Sequence, residues 1–206
     1  MHDDEDLAAA LSAAATGDEA GFAVLWRSLQ PAVLRYLRVV VGDAAEDVAS
    51  ETWLQAARDL HRFEGDATAF RGWLFRIARH RSIDERRRNA RRPEHPADAV
   101  RGDIARDAAA EAQEQSDTDW ALARIAALPP DQAEAVMLRV VAGLDVATTA
   151  RVLGKRSGAV RVATMRGLRR LAADPQVQAR GGAAARLSGP ARPAPGVTRP
   201  GEGVTG

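Results

Sequence analysis

Three charged segments of this chain have residue types and spacings suited to binding chemistry. The first is acidic. In AAEDVASETWLQAARDL, Glu46, Asp47, Ser50, Glu51 and Gln55 fall on one side of a helical repeat, with Asp47 and Glu51 four apart. Such oxygens can hold a divalent cation, or they can dock a basic partner. Four His, no Cys and no second carboxylate pair weigh against a metal. The second segment interleaves aromatics with arginines, FRGWLFRIARHRSIDERRR, and sets eight Arg against Asp84 and Glu85 between Arg76 and Arg92. Arg71, Arg76, Arg79, His80, Arg81, Arg86, Arg87 and Arg88 read as its wet face. That density calls for an anionic partner, and the aromatic–arginine mixture suits unpaired nucleic acid. Phe70 and Trp73 themselves read as core. The third segment, KRSGAVRVATMRGLRRL, carries Lys155, Arg156, Arg161, Arg166, Arg169 and Arg170 with no acid among them.

Helices must position all three. Apolar residues recur at helical spacing along most of the chain, strand-type alternation is hard to find, and the expectation is an all-α protein. Residues 4–16 form a short Ala-rich helix ended by Gly17, with Asp18 as the next N-cap. A helix over 19–41 keeps Phe22, Leu25, Trp26, Leu29, Val33, Leu34, Leu37 and Val41 in register, with a kink expected at Pro31. Asp43 is the expected cap of a helix over 44–60, with Val48, Trp53 or Thr52, Ala56 and Leu60 inward. Asp66 or Thr68 caps another over 67–88. Asp131 is the expected cap of a helix over 132–141. A short helix, Asp145 to Leu153, then meets the basic helix across Gly154, the outline of a helix-turn-helix. In that last helix Val160, Ala163, Thr164, Gly167, Leu168 and Leu171 are expected to face inward. Its length, about 25 Å at ~1.5 Å per residue, suits a major groove ~12 Å wide.

The composition bounds the possibilities. The chain has 206 residues and a net charge of only +1, but the charge is segregated: acidic at 1–20, basic at 76–92, acidic again at 94–119, basic at 155–170. Without cysteine there are no disulfides and no thiolate sites. No apolar run approaches ~18 residues and the start, MHDDED, is unlike a secretory signal, so a cytoplasmic protein without membrane insertion is expected. The expected division is an acidic N-terminal segment (1–18), a first helical domain (19–92), a flexible linker (93–116), a second domain (117–173) and a disordered tail (174–206).

The segment DAAEDVASETWLQAARDLHRFEGDATAFRGWLFRIARHRSIDERRR resembles region 2 of bacterial sigma factors, and ALPPDQAEAVMLRVVAGLDVATTARVLGKRSGAVRVATMRGLRRL resembles their region 4. With only these two regions and a short linker, the chain is similar to the extracytoplasmic-function (ECF) group. The resemblance implies two small helical domains, no catalysis and no cofactor. It implies core RNA polymerase as partner, through its β′ clamp helices and β flap, with Glu46, Asp47, Glu51 and Gln55 forming the dock. It implies recognition and opening of the promoter −10 element by Arg76, Arg79, His80, Arg81 and Asp84, with phosphate contacts from Arg86, Arg87 and Arg88. At the −35 element, Arg161, Val162, Met165 and Arg166 would face bases, while Lys155, Arg156, Ser157 and Arg169 would hold phosphates. His80 stands where many relatives have Asn, and Val162-Ala163 where a Ser-Arg pair is common. An anti-sigma factor is a common partner of the group. Two rival functions remain: a helix-turn-helix regulator acting without polymerase, and a metal-dependent hydrolase using Asp43, Glu46, Asp47 and Glu51.

Overall fold

The apolar stripes read from the sequence become helices, and the computed structural model, which describes residues 2–91 and 109–180, contains no strand among them. The first group comprises α1 (His2–Ala15), α2 (Glu19–Val41), α3 (Ala45–Asp59) and α4 (Ala67–Ala90). Asp18 caps α2 by accepting the Ala20 N–H at 2.9 Å, and Asp66 caps α4 by accepting that of Ala69 at 2.7 Å. Pro31 leaves α2 unbroken; it lies in the exposed part of that helix. The expected Asp43 cap does not form. A 3-10 turn, Gly42–Ala44, carries the chain into α3 instead, and Gly42 (φ 62°) supplies the left-handed bend.

Leu7, Ala10, Leu11 and Ala14 of α1 are buried against α2. The approach is close enough that a Cβ at Gly21 would lie 2.8 Å from the Ala10 carbonyl oxygen. Val48, Thr52, Trp53, Ala56 and Leu60 face inward as the spacing predicts. The Trp53 indole donates to Gln30 at 2.6 Å. Phe70 is fully buried and meets Phe63 edge-on, with ring centres 5.5 Å apart.

The second group comprises α5 (Ala109–Ala126), α6 (Pro130–Val136), α7 (Val146–Leu153) and α8 (Ser157–Ala173). Helix α5 begins within the stretch read as linker; residues 93–108 of that linker lie outside the described residues. Pro130 opens α6 at its first position, where its missing N–H costs nothing, so Asp131 is not the cap. Asp131 instead pairs with Lys155 at 2.7 Å. A π-helical turn, Met137–Val141, ends this helix, closed by the Ala142 N–H on the Met137 carbonyl. Asp145 caps α7, and Gly154, at φ 64°, takes the left-handed corner before α8.

In α8, Val160 and Gly167 are buried, seven apart, while Leu168 is 43% exposed. Leu168 was expected inward, but α8 lies so close to α6 that the glycine forms the contact: a Cβ at Gly167 would sit 2.7 Å from Val136. That registers Leu168 ~100° away from the buried line.

Residues 1–171 form one compact unit and 172–206 a second. Within the first, one buried apolar cluster runs from Leu7, Leu25, Leu37, Phe70 and Leu74 to Leu122, Leu138, Leu144, Leu153 and Val160, and Leu128, Ala133 and Val136 form a smaller second one. The two helical groups therefore share a core, which the sequence pattern does not announce. In the second unit, residues 175–180 are helical, where disorder was expected; the expectation for 181–206 lies outside the described residues.

Candidate nucleic-acid interface

The helix-turn-helix is built from local chemistry. Asp145 accepts the Thr148 N–H at 2.8 Å and the Thr148 hydroxyl at 2.8 Å. These two bonds hold the Asp145 carboxyl below the usual range, the backbone one contributing most. Arg151 donates to the Thr148 hydroxyl at 2.9 Å, which pins that side chain from its other side. Helix α8 then presents Arg161, Val162, Met165, Arg166 and Arg169 in exposed positions, spaced so that they share one face. Arg156 is exposed just before the helix, Ser157 is half-buried at its first position, and Lys155 is held by Asp131. Arg161, Val162, Met165, Arg166 and Arg169 thus give α8 a cationic and partly apolar outer face.

The two sites expected on the first helical group are stitched together. Glu46 and Asp47 are exposed on α3, with Glu46 4.0 Å from Arg38. Glu51 pairs with Arg88 at 3.5 Å, and Gln55 accepts from the Arg81 Nε and Nη2 at 2.9 and 2.7 Å. Arg88 also reaches Glu85 at 3.0 Å, and Arg87 lies 3.9 Å from Asp84. Arg76, His80 and Arg86 are exposed along α4. Arg79 is not on the wet face. Its Nε stands 3.4 Å from the Glu134 carboxylate of α6, and its side chain is 21% exposed.

Glu134 was missed. It sits in AEAVMLRVV, where a lone acid among apolar residues is itself the signal that could have marked it. Burying a carboxylate costs several kcal/mol unless it is paired. Here the Tyr36 hydroxyl donates to it at 3.2 Å and Arg79 supplies the countercharge. Tyr36 is fully buried, and burial, reinforced by the Glu134 charge, pushes its phenol well above the ordinary value. Also missed was a cleft of about 440 Å³ lined by Arg62, Phe63, Trp73, Arg76, Thr148 and Arg151, whose rings and guanidinium groups come from the loop before α4, from α4 and from α7.

No group of three or more His, Cys, Asp or Glu side chains is placed to hold a metal ion among the described residues. The hydrolase reading of Asp43, Glu46, Asp47 and Glu51 therefore has no geometric support. No helix among the described residues is long and apolar enough to cross a membrane.

Comparison with known proteins agrees with the geometry. Residues 25–92 match Sigma-70 region 2 and residues 118–171 match Sigma-70, region 4. The ECF RNA polymerase sigma factor SigD of Mycobacterium tuberculosis is 34% identical over 175 residues, covering 81% of this chain and 82% of SigD. The ECF RNA polymerase sigma factor ShbA of Streptomyces griseus is 35% identical over 187 residues, covering 84% and 98%. Among solved structures, CnrH in complex with the cytosolic domain of CnrY shares the fold at a TM-score of 0.57 and 22% identity, covering 82% of this chain and 96% of CnrH. The sigma factor RpoE in complex with the anti-sigma factor NepR from Bartonella quintana does so at 0.53 and 22%, covering 70% and 92%. Two matched regions in order, on helices whose charged faces suit DNA and a protein dock, leave the polymerase-independent regulator without support, and the chain belongs to the ECF sigma factors, non-enzymatic initiation factors that direct RNA polymerase to promoters.

Proposed function

We propose a residue-level division of this work. The dock for the β′ clamp helices is the outer face of α3, led by Asp47 and Glu51 with Glu46 and Gln55 beside them. The −10 element is taken by α4, through Arg76, Arg79, His80, Arg81 and Asp84, with phosphates on Arg86, Arg87 and Arg88. The −35 element is read by Arg161, Val162, Met165 and Arg166 and held by Lys155, Arg156, Ser157 and Arg169. Region 2 occupies 19–92 and region 4 occupies 117–173, with 1–18, 93–116 and the tail from 174 as connecting and terminal segments. The β flap is the polymerase element for region 4. An anti-sigma factor is a further partner, in keeping with the complex of RpoE with the anti-sigma factor NepR. The protein works in the cytoplasm, where polymerase and promoters are.

The observation that carries this reading is charge segregation on exposed faces. Helix α3 turns Glu46 and Asp47 outward, whereas α8, Ser157–Ala173, has no acid at all. A cationic helix meets phosphate with little self-repulsion to overcome, while an acidic one selects a basic protein.

The test is run-off transcription on fragmented genomic DNA with core polymerase, with and without the protein. Discrete starts appearing only with the protein, and lost in Asp47→Arg/Glu51→Arg together with core binding, are expected. Arg161→Ala/Arg166→Ala should keep core binding and lose the −35-dependent starts. Normal core binding by the α3 variant would overturn the dock.

A further inference from the structure

Among the described residues, Glu134 is the only charged side chain that is buried, and both of its partners lie in region 2. Gly72, Arg76 and Arg79 are spaced by four and three along α4, so they mark one face of that helix. Region 4 meets that face at Gly72 and Arg79, and Arg76 stays exposed beside it. The Thr148 methyl lies where a Cβ on Gly72 would come within 2.4 Å of it, Arg76 lines a cleft with Thr148 and Arg151, and Glu134 holds Arg79. Arg38 of α2 adds a contact to Asp119 of α5 at 3.7 Å.

We infer that the free protein rests in a closed form, in which α7 seats on α4 at Gly72 and the Glu134 carboxylate of α6 occupies Arg79, one of the residues assigned to the −10 element, in place of DNA. The DNA clause of this proposal rests on the assignment of Arg79 to the −10 element. The clasp is poised to release. The Arg79 Nε is buried beside the carboxylate but makes no hydrogen bond, so a phosphate offering better geometry competes well for it.

Gly72 gives a clean handle. Every atom within 4 Å of its virtual Cβ, outside its own helix and chain neighbours, belongs to Thr148. Gly72→Ala therefore adds nothing that region 2 must accommodate, and Ala is the better helix former. Thr148 cannot simply turn aside, because its hydroxyl is bonded to Asp145 and Arg151. Thr148→Ser removes the obstructing methyl and keeps those bonds.

The chain has no cysteine, so spin labels can be placed on the exposed positions Ala57→Cys and Ala127→Cys of the full-length protein. The parent should give a narrow distance distribution by pulsed electron paramagnetic resonance. Gly72→Ala should lengthen and broaden it, and Thr148→Ser in the same chain should restore it. In parallel, binding of a fluorescein-labelled single-stranded DNA 20-mer should tighten about tenfold in Gly72→Ala if about one molecule in ten of the parent is open. Arg79→Ala should remove that gain. An unchanged distance in Gly72→Ala, or no restoration by Thr148→Ser, overturns the closed form. Lengthening without tighter DNA binding leaves the closed form standing and overturns the role of Arg79 at the −10 element.

Discussion

Tyr36 and Asp145 respond to pH from opposite ends of the scale. Tyr36 is the only tyrosine of the chain, so tyrosinate absorbance reports on it alone. Its burial raises its pKa, and the Glu134 charge raises it further. The unfolded phenol ionises near pH ~10, whereas the folded one stays neutral there. The stability this contributes is complete below pH ~10 and is lost as pH climbs from there through the folded value. An alkaline titration should show no tyrosinate at pH ~10 until the fold opens; a simple titration at the ordinary value would refute the burial. Asp145 behaves in the reverse sense. Its folded pKa is depressed by the Thr148 N–H and hydroxyl, so its contribution is present above ~3.9 and lost as pH falls through the folded value. Asp145→Ala should cost about 1 kcal/mol, read as a lower urea midpoint at unchanged slope, and should flatten the acid limb. At this scale the sequence was partly legible. Asp18 and Asp66 were readable as caps because a helix start follows each directly. Asp43 and Asp131 were not, because a 3-10 turn and a proline took the capping position from them.

At the scale of the helix, pattern decides what can be read. The inward stripe of α3 follows from spacing alone, since one face is apolar and the other acidic. Helix α8 is harder. Its cations are many and its apolar residues scattered, and only the close packing at Gly167 fixes which way the helix is turned. That rotation exposes Val162, Met165 and Leu168 beside the arginines, a mixture suited to base edges as well as phosphates. Substitutions on this face should separate into two kinds. Arg161→Ala or Arg166→Ala, each proposed to read bases, should cost about 1–3 kcal/mol on the cognate promoter and relax sequence preference. Arg156→Ala or Arg169→Ala, each proposed to hold phosphate, should weaken all sequences alike. Each of these should also lower the slope of log affinity against log salt by about one. Fluorescence anisotropy across a salt series on duplexes of two sequences distinguishes the kinds. If Arg156→Ala leaves the salt slope unaltered, its phosphate role fails.

At the scale of the whole molecule, periodicity ceases to inform. Two amphipathic groups joined by an acidic segment read as two independent domains, because nothing in a helical repeat says where its buried stripe finds cover. Packing of α6 and α7 on α4 depends on a glycine opposite a threonine and on one acid inside an apolar run, features without a period. Their consequence is thermodynamic. If the shared core runs unbroken from Leu7 to Val160, the 1–171 unit unfolds cooperatively, since neither group keeps its full burial when the other melts. Calorimetry of the wild type should then show one transition for this unit, with matching calorimetric and van't Hoff enthalpies. Gly72→Ala, which separates the groups while improving α4 as a helix, should split it into two. The larger α1–α4 bundle, with its aromatic cluster of Phe63, Phe70 and Trp73, should melt at the higher temperature. Two transitions in the wild type itself would mean that the groups fold apart, and that the contact of Glu134 with Tyr36 and Arg79 contributes too little to couple them.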